Sequence, residues 1–253
     1  MSNVVNHKPM KVIIFDLDET LGYFYEFSIL LDAIERYYNK KLPLSQMCNV
    51  LDLYPEYFRP SIFTILKYLS NLKDKNIIHK VYIYTNNQGG KKWSRFIQSY
   101  IEKKINYPIF DQIIHAFKVN GVQIEQSRTT HQKTHADFIK CSKLPENTNI
   151  CFIDDLNHPK MVHDNVYVIN ISPYKYGLNK NILINRFIRL SRKNNDFEKI
   201  VQQNIIFFKK HVITVFENVY NYNYIEKKEK EYKIDKIVSK RLIFLLDEFI
   251  QEF

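Results

Sequence analysis

The 253-residue chain is poor in three things, and each scarcity removes a class of function. Its 3 cysteines, Cys48, Cys141 and Cys151, are scattered without C-x-x-C spacing, which argues against a disulfide framework or a cysteine-built zinc site and fits a reducing compartment. Residues 1–10 lack the apolar core of a secretion signal, and no window approaches the roughly 20 apolar residues of a membrane helix. The expectation is an intracellular protein, cytoplasmic or nuclear, neither secreted nor membrane-bound. Acidic side chains are the third minority, 27 against 37 basic ones, for a formal charge of +10. That excess favours an anionic partner for a basic surface, or else reflects a composition heavy in Asn, Ile, Lys and Tyr. There is no internal repeat, and the one charge-dense stretch, IEKKEKEYK at 225–233, reads as a solvated connector.

What is present is a packed-protein composition, 45% hydrophobic and 15% aromatic. Apolar runs of strand length fall at 11–16, 79–85, 111–117, 149–154 and 166–171. Helical spacing fills the intervals at 28–40, 60–74, 91–105 and 133–144, with Pro60 and Ser61 at a helix start. Strands alternating with helices predict a doubly wound, mainly parallel five-stranded α/β sheet of the Rossmann-like kind. After Tyr176-Gly177 the rhythm turns wholly helical, so the chain divides into a core at 1–178 and a helical C-terminal extension at 179–253, with no large cap domain.

Polar residues cluster where the strands end. Asp16 and Asp18 follow the first, Thr85-Asn86-Asn87 the second and Asp154-Asp155 the fourth, while Lys133 opens a helix. A parallel sheet brings such ends to one edge. There Asp16 can attack phosphorus, and Asp18 can give a proton to the leaving oxygen and later take one from water. The crowded carboxylates of Asp16, Asp18, Asp154 and Asp155 need a cation, and Mg²⁺ suits all-oxygen ligands. Thr85, the amides beyond it toward Gly89 and Gly90, and Lys133 supply hydrogen bonds and charge for a phosphate.

These four segments, DLDETLG, YTNN, the lysine of HQKTH and FIDD, resemble in their order the four motifs of the haloacid dehalogenase (HAD) superfamily of phosphohydrolases. DLDETL, YFRP (57–60) and FIDDLNHP are similar to the branch of carboxy-terminal-domain phosphatases and their small relatives. The resemblance spans 11 to about 176 and implies a HAD-type core and an Mg²⁺-dependent phosphatase working through an aspartyl-phosphate. It implies Asp16 as nucleophile, Asp18 as acid/base, Thr85, Asn86 and Lys133 as phosphate binders, and Asp16, Asp18, Asp154 and Asp155 at the metal. The implied partner is a phosphorylated macromolecule, phosphoserine or phosphothreonine in a protein before a nucleic acid. The segment NNQGGKKW after Thr85 departs from that branch toward polynucleotide 3′-phosphatases and keeps a terminal nucleic-acid phosphate as the alternative. A weakly active binding scaffold is the reading from another class.

Other residues carry two readings each. Lys118 rivals Lys133; Arg128 meets a substrate phosphate or lies in a solvated loop; His131 and His135 are exposed or flank substrate. His158 and His163 read as surface, Trp93 as packing, and the aromatic run YFYEF (23–27) as a flap over the site or as ordinary packing.

Overall fold

A computed structural model describes residues 9–192, 197, 204–219 and 222–253. Five strands form one parallel sheet: β1 (Lys11–Phe15), β2 (Lys80–Tyr84), β3 (Gln112–Ile114), β6 (Asn149–Asp154) and β7 (Val166–Asn170), in the order β3-β2-β1-β6-β7. The five expected strands are all present, in register Val12↔Lys80 and Val12↔Ile150 across the central strand. Both faces of β1 are buried, since Val12, Ile13, Ile14 and Phe15 are each 0% exposed. That explains a continuous apolar run where an alternating one would mark a half-solvated strand.

Between β1 and β2 lie α1 (Tyr25–Tyr38), α2 (Leu44–Leu51) and α3 (Ile62–Asp74); α4 (Gly90–Ile105) links β2 to β3. After β3 comes a hairpin, β4 (Lys118–Val119) and β5 (Val122–Gln123), then α5 (His135–Ser142). The hairpin was not expected, although its Asn120-Gly121 turn, with φ of 49° and 80°, is the pair that suits left-handed backbone. One sheet face packs against α5 through Val12, Ile14, Tyr82, Tyr84, Ile150 and Phe152, which meet Phe138 and Cys141. Thr134 starts α5 by accepting from the Asp137 amide at 3.0 Å. Pro60 and Ser61, expected inside a helix start, precede α3 instead: Ser61 is its N-cap at φ 62° and makes no side-chain cap. The aromatic run 23–27 belongs to packing, because Tyr23, Phe24 and Phe27 are buried at the head of α1.

The chain groups into two compact units, Met1–Leu21, Arg59–Tyr174 and Ile234–Phe253 in one, and Gly22–Phe58 with Lys175–Lys233 in the other. This grouping does not follow a single boundary at 178/179, nor leave the stretch after the first motif with the sheet. The physical reason lies in the last helix, α8 (Glu229–Glu252), which follows α6 (Lys180–Ser191) and α7 (Ile205–Asn218). From Ile234 onward it belongs to the sheet unit: Leu242, Leu246 and Phe249 are buried, each contributing about 2 kcal/mol of burial. Tyr167 on β7 donates to Glu248 at 3.0 Å, Lys11 Nζ to the Ile250 carbonyl at 2.6 Å, and Asn149 Nδ2 to the Phe253 carbonyl at 3.0 Å. The charged stretch 225–233 is half helix, since α8 begins at Glu229. Part of the helix expected from Asp196 onward lies outside the described residues.

The second unit packs α1 with α7 and α6 around aromatic rings, Tyr37 on Phe208 at 4.9 Å and Phe187 on Phe208 at 5.4 Å. Inside it, Glu26 is 0% exposed and accepts from Tyr57 Oη at 3.1 Å, Tyr222 Oη at 2.6 Å and the Leu178 amide at 2.8 Å. Gly177 permits a close crossing, because a Cβ there would stand 2.2 Å from the Ile225 carbonyl oxygen. Among the described residues no helix is long and apolar enough to cross a membrane.

Candidate active site

The strand order reverses its direction of growth between β1 and β6, the position where a doubly wound sheet leaves a crevice at its carboxyl ends. Asp16 leaves β1 there, its amide bonded to the Ile153 carbonyl at 2.9 Å, and Asp154 ends β6. Lys133, 2% exposed, precedes the α5 N-cap and bonds both carboxylates: Oδ1 of Asp16 in a very short contact, and Oδ2 of Asp154 at 2.7 Å. Lys118 lies on the hairpin, with its ammonium 5.0 Å from the Phe117 ring centroid.

Asp16, Asp154 and Asp155 each offer an oxygen within 4.8 Å of the others, an all-carboxylate set of the hard donors that suit Mg²⁺. Asp18, expected at the metal through its backbone carbonyl, turns its carboxylate to Asn87, whose Nδ2 donates to its Oδ2 at 2.6 Å. Burial pushes the Asp16 carboxyl up to about 7, with the charges of Asp154 and Asp18 adding to it against Lys133. Burial likewise raises Asp18 to about 6 against the Asn87 bond, so it can hold a proton near neutrality. Asp154 goes the other way. Burial would raise it, but His158, Lys133 and the Leu156 amide together hold it below the usual carboxylate range. Asp155 is raised by burial, while Thr20 Oγ1, donating to its Oδ1 at 3.0 Å, works against the rise; the same hydroxyl accepts from the Asp155 amide at 3.1 Å.

The loop after β2 is organised around Thr85 and Asn87. The Asn87 amide donates to Thr85 Oγ1 at 3.0 Å, and Asn87 Oδ1 accepts from the Gly89 amide at 2.7 Å. Asn86, expected to bind phosphate, makes neither bond, and its Oδ1 is buried without a hydrogen-bond partner. The polar contact with Asp18 thus belongs to Asn87, one position along; the sequence shows both asparagines and no sign of which one turns inward.

Two buried arginines hold the site's loops. Arg128, 1% exposed, is neither a solvated loop residue nor a free cation. Nη1 donates to the carbonyls of Thr85 at 3.2 Å and His115 at 2.9 Å, and Nη2 to those of His131 and Gln132, each at 3.1 Å. Its guanidinium covers the Tyr84 ring at 4.8 Å, so one side chain fastens the Thr85 segment to the Lys133 segment. Arg59, from the YFRP segment, donates to the carbonyls of Thr20 at 2.6 Å, Glu19 at 2.6 Å and Ser172 at 2.7 Å. It fixes the turn after Asp18, where Glu19 sits at φ 61°.

His158, read as surface from the sequence, brings Nε2 to 3.1 Å from Asp154 Oδ2, and its side chain is 12% exposed. The four-residue step from Asp154 to His158 was the available signal. His131 is exposed beside Phe117, whereas His135 stacks on His163 with ring centroids 4.3 Å apart. Trp93 packs on Phe96 at 5.6 Å. No protein-family model matches the chain, and no curated protein or solved structure matches it either.

Proposed function

We propose that the chain is a phosphomonoester hydrolase of the HAD kind, acting through an aspartyl-phosphate on a phosphoryl group carried by a macromolecule. The observation that carries this reading is the meeting of Asp16, Lys133 and Asp154 at the carboxyl ends of two adjacent parallel strands, where the sheet's growth reverses. Asp16 attacks phosphorus through a carboxylate oxygen, and the ester P–O bond breaks as the P–O bond to Asp16 forms. Asp18, whose carboxyl is raised to about 6 so that a fraction carries a proton near neutrality, is oriented by Asn87 and gives its proton to the departing alkoxide, leaving an alcohol. Water then attacks the phosphorus of the acyl phosphate while Asp18 takes up its proton, and Asp16 is released with inorganic phosphate. Lys133 supplies positive charge to Asp16 and to the phosphoryl group. Asp16, Asp154 and Asp155 would hold Mg²⁺, which when bound offsets the negative charge of carboxylates and phosphate.

The test is hydrolysis of a small aryl phosphate by the full chain with and without Mg²⁺, together with hydroxylamine trapping of the acyl phosphate. Metal-dependent turnover with hydroxylamine-sensitive label on Asp16 supports the mechanism. Unchanged turnover in Asp16→Asn ends it.

A further inference from the structure

A polar cavity of about 360 Å³ lies beside the edge strand β3, lined by Lys91, Arg95 and Gln98 from α4, by Asp111 and His115 flanking β3, and by Glu125. Its lining residue His115 is tied to the candidate site's Thr85, because Arg128 Nη1 donates to the carbonyls of both. We infer that this groove holds the phosphodiester backbone of a nucleic-acid strand whose terminal phosphate is presented to Asp16. This rests on the reaction proposed above and names its substrate class.

The charge balance supports an anion. Asp111 is already spent on Lys73 Nζ at 2.7 Å and on the Val81 amide at 2.8 Å. Lys91 and Arg95 are exposed and form no ion pair among the described residues, which leaves two cations against Glu125. His115 stays neutral, since burial and those same two cations push its pKa down to about 4. Gln98 turns its amide to Glu102 at 3.2 Å. The two cations stand four residues apart on one face of α4, about 6 Å along the helix axis, so they meet successive charges of a chain rather than clamp one anion. Ile113 is the aliphatic residue of the lining, which disfavours a peptide: side-chain pockets are mostly apolar, whereas phosphate backbones are held by such polar and cationic groups.

The experiment is fluorescence anisotropy of the full chain in EDTA with labelled single strands bearing a 3′-phosphate, a 5′-phosphate or neither, and with a phosphoserine peptide. A phosphorylated strand is expected to bind best, and its terminus identifies the end recognised. Lys91→Gln with Arg95→Gln should reduce the slope of log affinity against log salt by about 1.4, two contacts at roughly 0.7 each. The double charge reversal Lys91→Glu, Arg95→Glu should weaken binding at least tenfold, and Glu125→Gln should tighten it two- to threefold. The last has opposite sign and guards against a variant that fails to fold. Equal affinity in all variants, or tighter binding of the phosphopeptide through the same residues, overturns the proposal. A strand that binds with these dependences yet is never hydrolysed with Mg²⁺, while aryl phosphate is, overturns the terminal-phosphate role; no turnover of either overturns the reaction, and turnover of aryl phosphate without strand binding overturns the groove alone.

Discussion

Each of the two units encloses a buried acid, and the two are satisfied in opposite ways. Glu26 accepts three hydrogen bonds from neutral donors, two tyrosine hydroxyls and one amide. Asp16 stands among other carboxylates and leans on one shared lysine. Burial raises the carboxyl of both. Around Glu26 the neighbours would gain nothing by change, which is how a buried polar group fixes a structure. Around Asp16 the surplus of negative charge is relieved by a cation or a proton, and that is the condition for chemistry. The lesson is that burial of an acid does not identify a site; the charge of its neighbours does.

The contrast is broken most severely by exchanging each acid for a neutral residue. Asp16→Asn should lower aryl-phosphate turnover at least about 1000-fold, as loss of a covalent nucleophile does, and should raise the melting temperature of the metal-free protein. Glu26→Ala should instead destabilise by about 2–4 kcal/mol in chemical denaturation, because two hydroxyls and an amide lose their acceptor. Were both variants to melt lower by the same amount, the two acids would be alike and the comparison would fail.

Proton linkage sharpens it further. The folded Asp16 carboxyl titrates near 7 and that of Asp18 near 6, against 3.8 for each as a free side chain. Between those values the folded state holds more protons than the unfolded one, so metal-free stability falls as pH rises from about 4 to 7. Mg²⁺ should flatten that fall in the wild type and leave it in Asp154→Asn, read by calorimetry across the range. The smallest effect belongs to Asn87→Ala. Losing that hydrogen bond should move the pKa of Asp18 further up from about 6, seen as an upward shift of the corresponding limb of the pH–rate profile.

The sheet was legible because a strand buried on both faces must be apolar throughout, as in VIIF and ICFI, and because acids at its exit have no packing use. Asp16 and Asp154 followed from that pattern, whereas Lys133 was singled out only by its place between the second and fourth motifs. Arg59 and Arg128 did not, since an arginine satisfied by backbone carbonyls looks in sequence like any other, and its acceptors are set by loops that no periodicity describes. Asn86 and Asn87 differ only in which way one peptide turns. Nothing in the sequence marks Glu26, between Tyr25 and Phe27, as buried, because its partners Tyr57, Leu178 and Tyr222 come from distant segments. The placement of α8 was equally hidden: its apolar stripe shows that something is covered, and only the fold shows that it is the sheet unit.

The central strand has a consequence in time. β1 is made before both of its neighbours, and its partners Val81 and Cys151 are separated from it by long stretches of chain that must be closed before either pairing forms. While the polypeptide is still emerging, Asp16 therefore has neither Asp154 nor Lys133 beside it. Synthesis order thus leaves the Asp16 carboxylate without its lysine and its neighbouring carboxylates until the later segments arrive, so the cluster assembles in one late step and not by degrees.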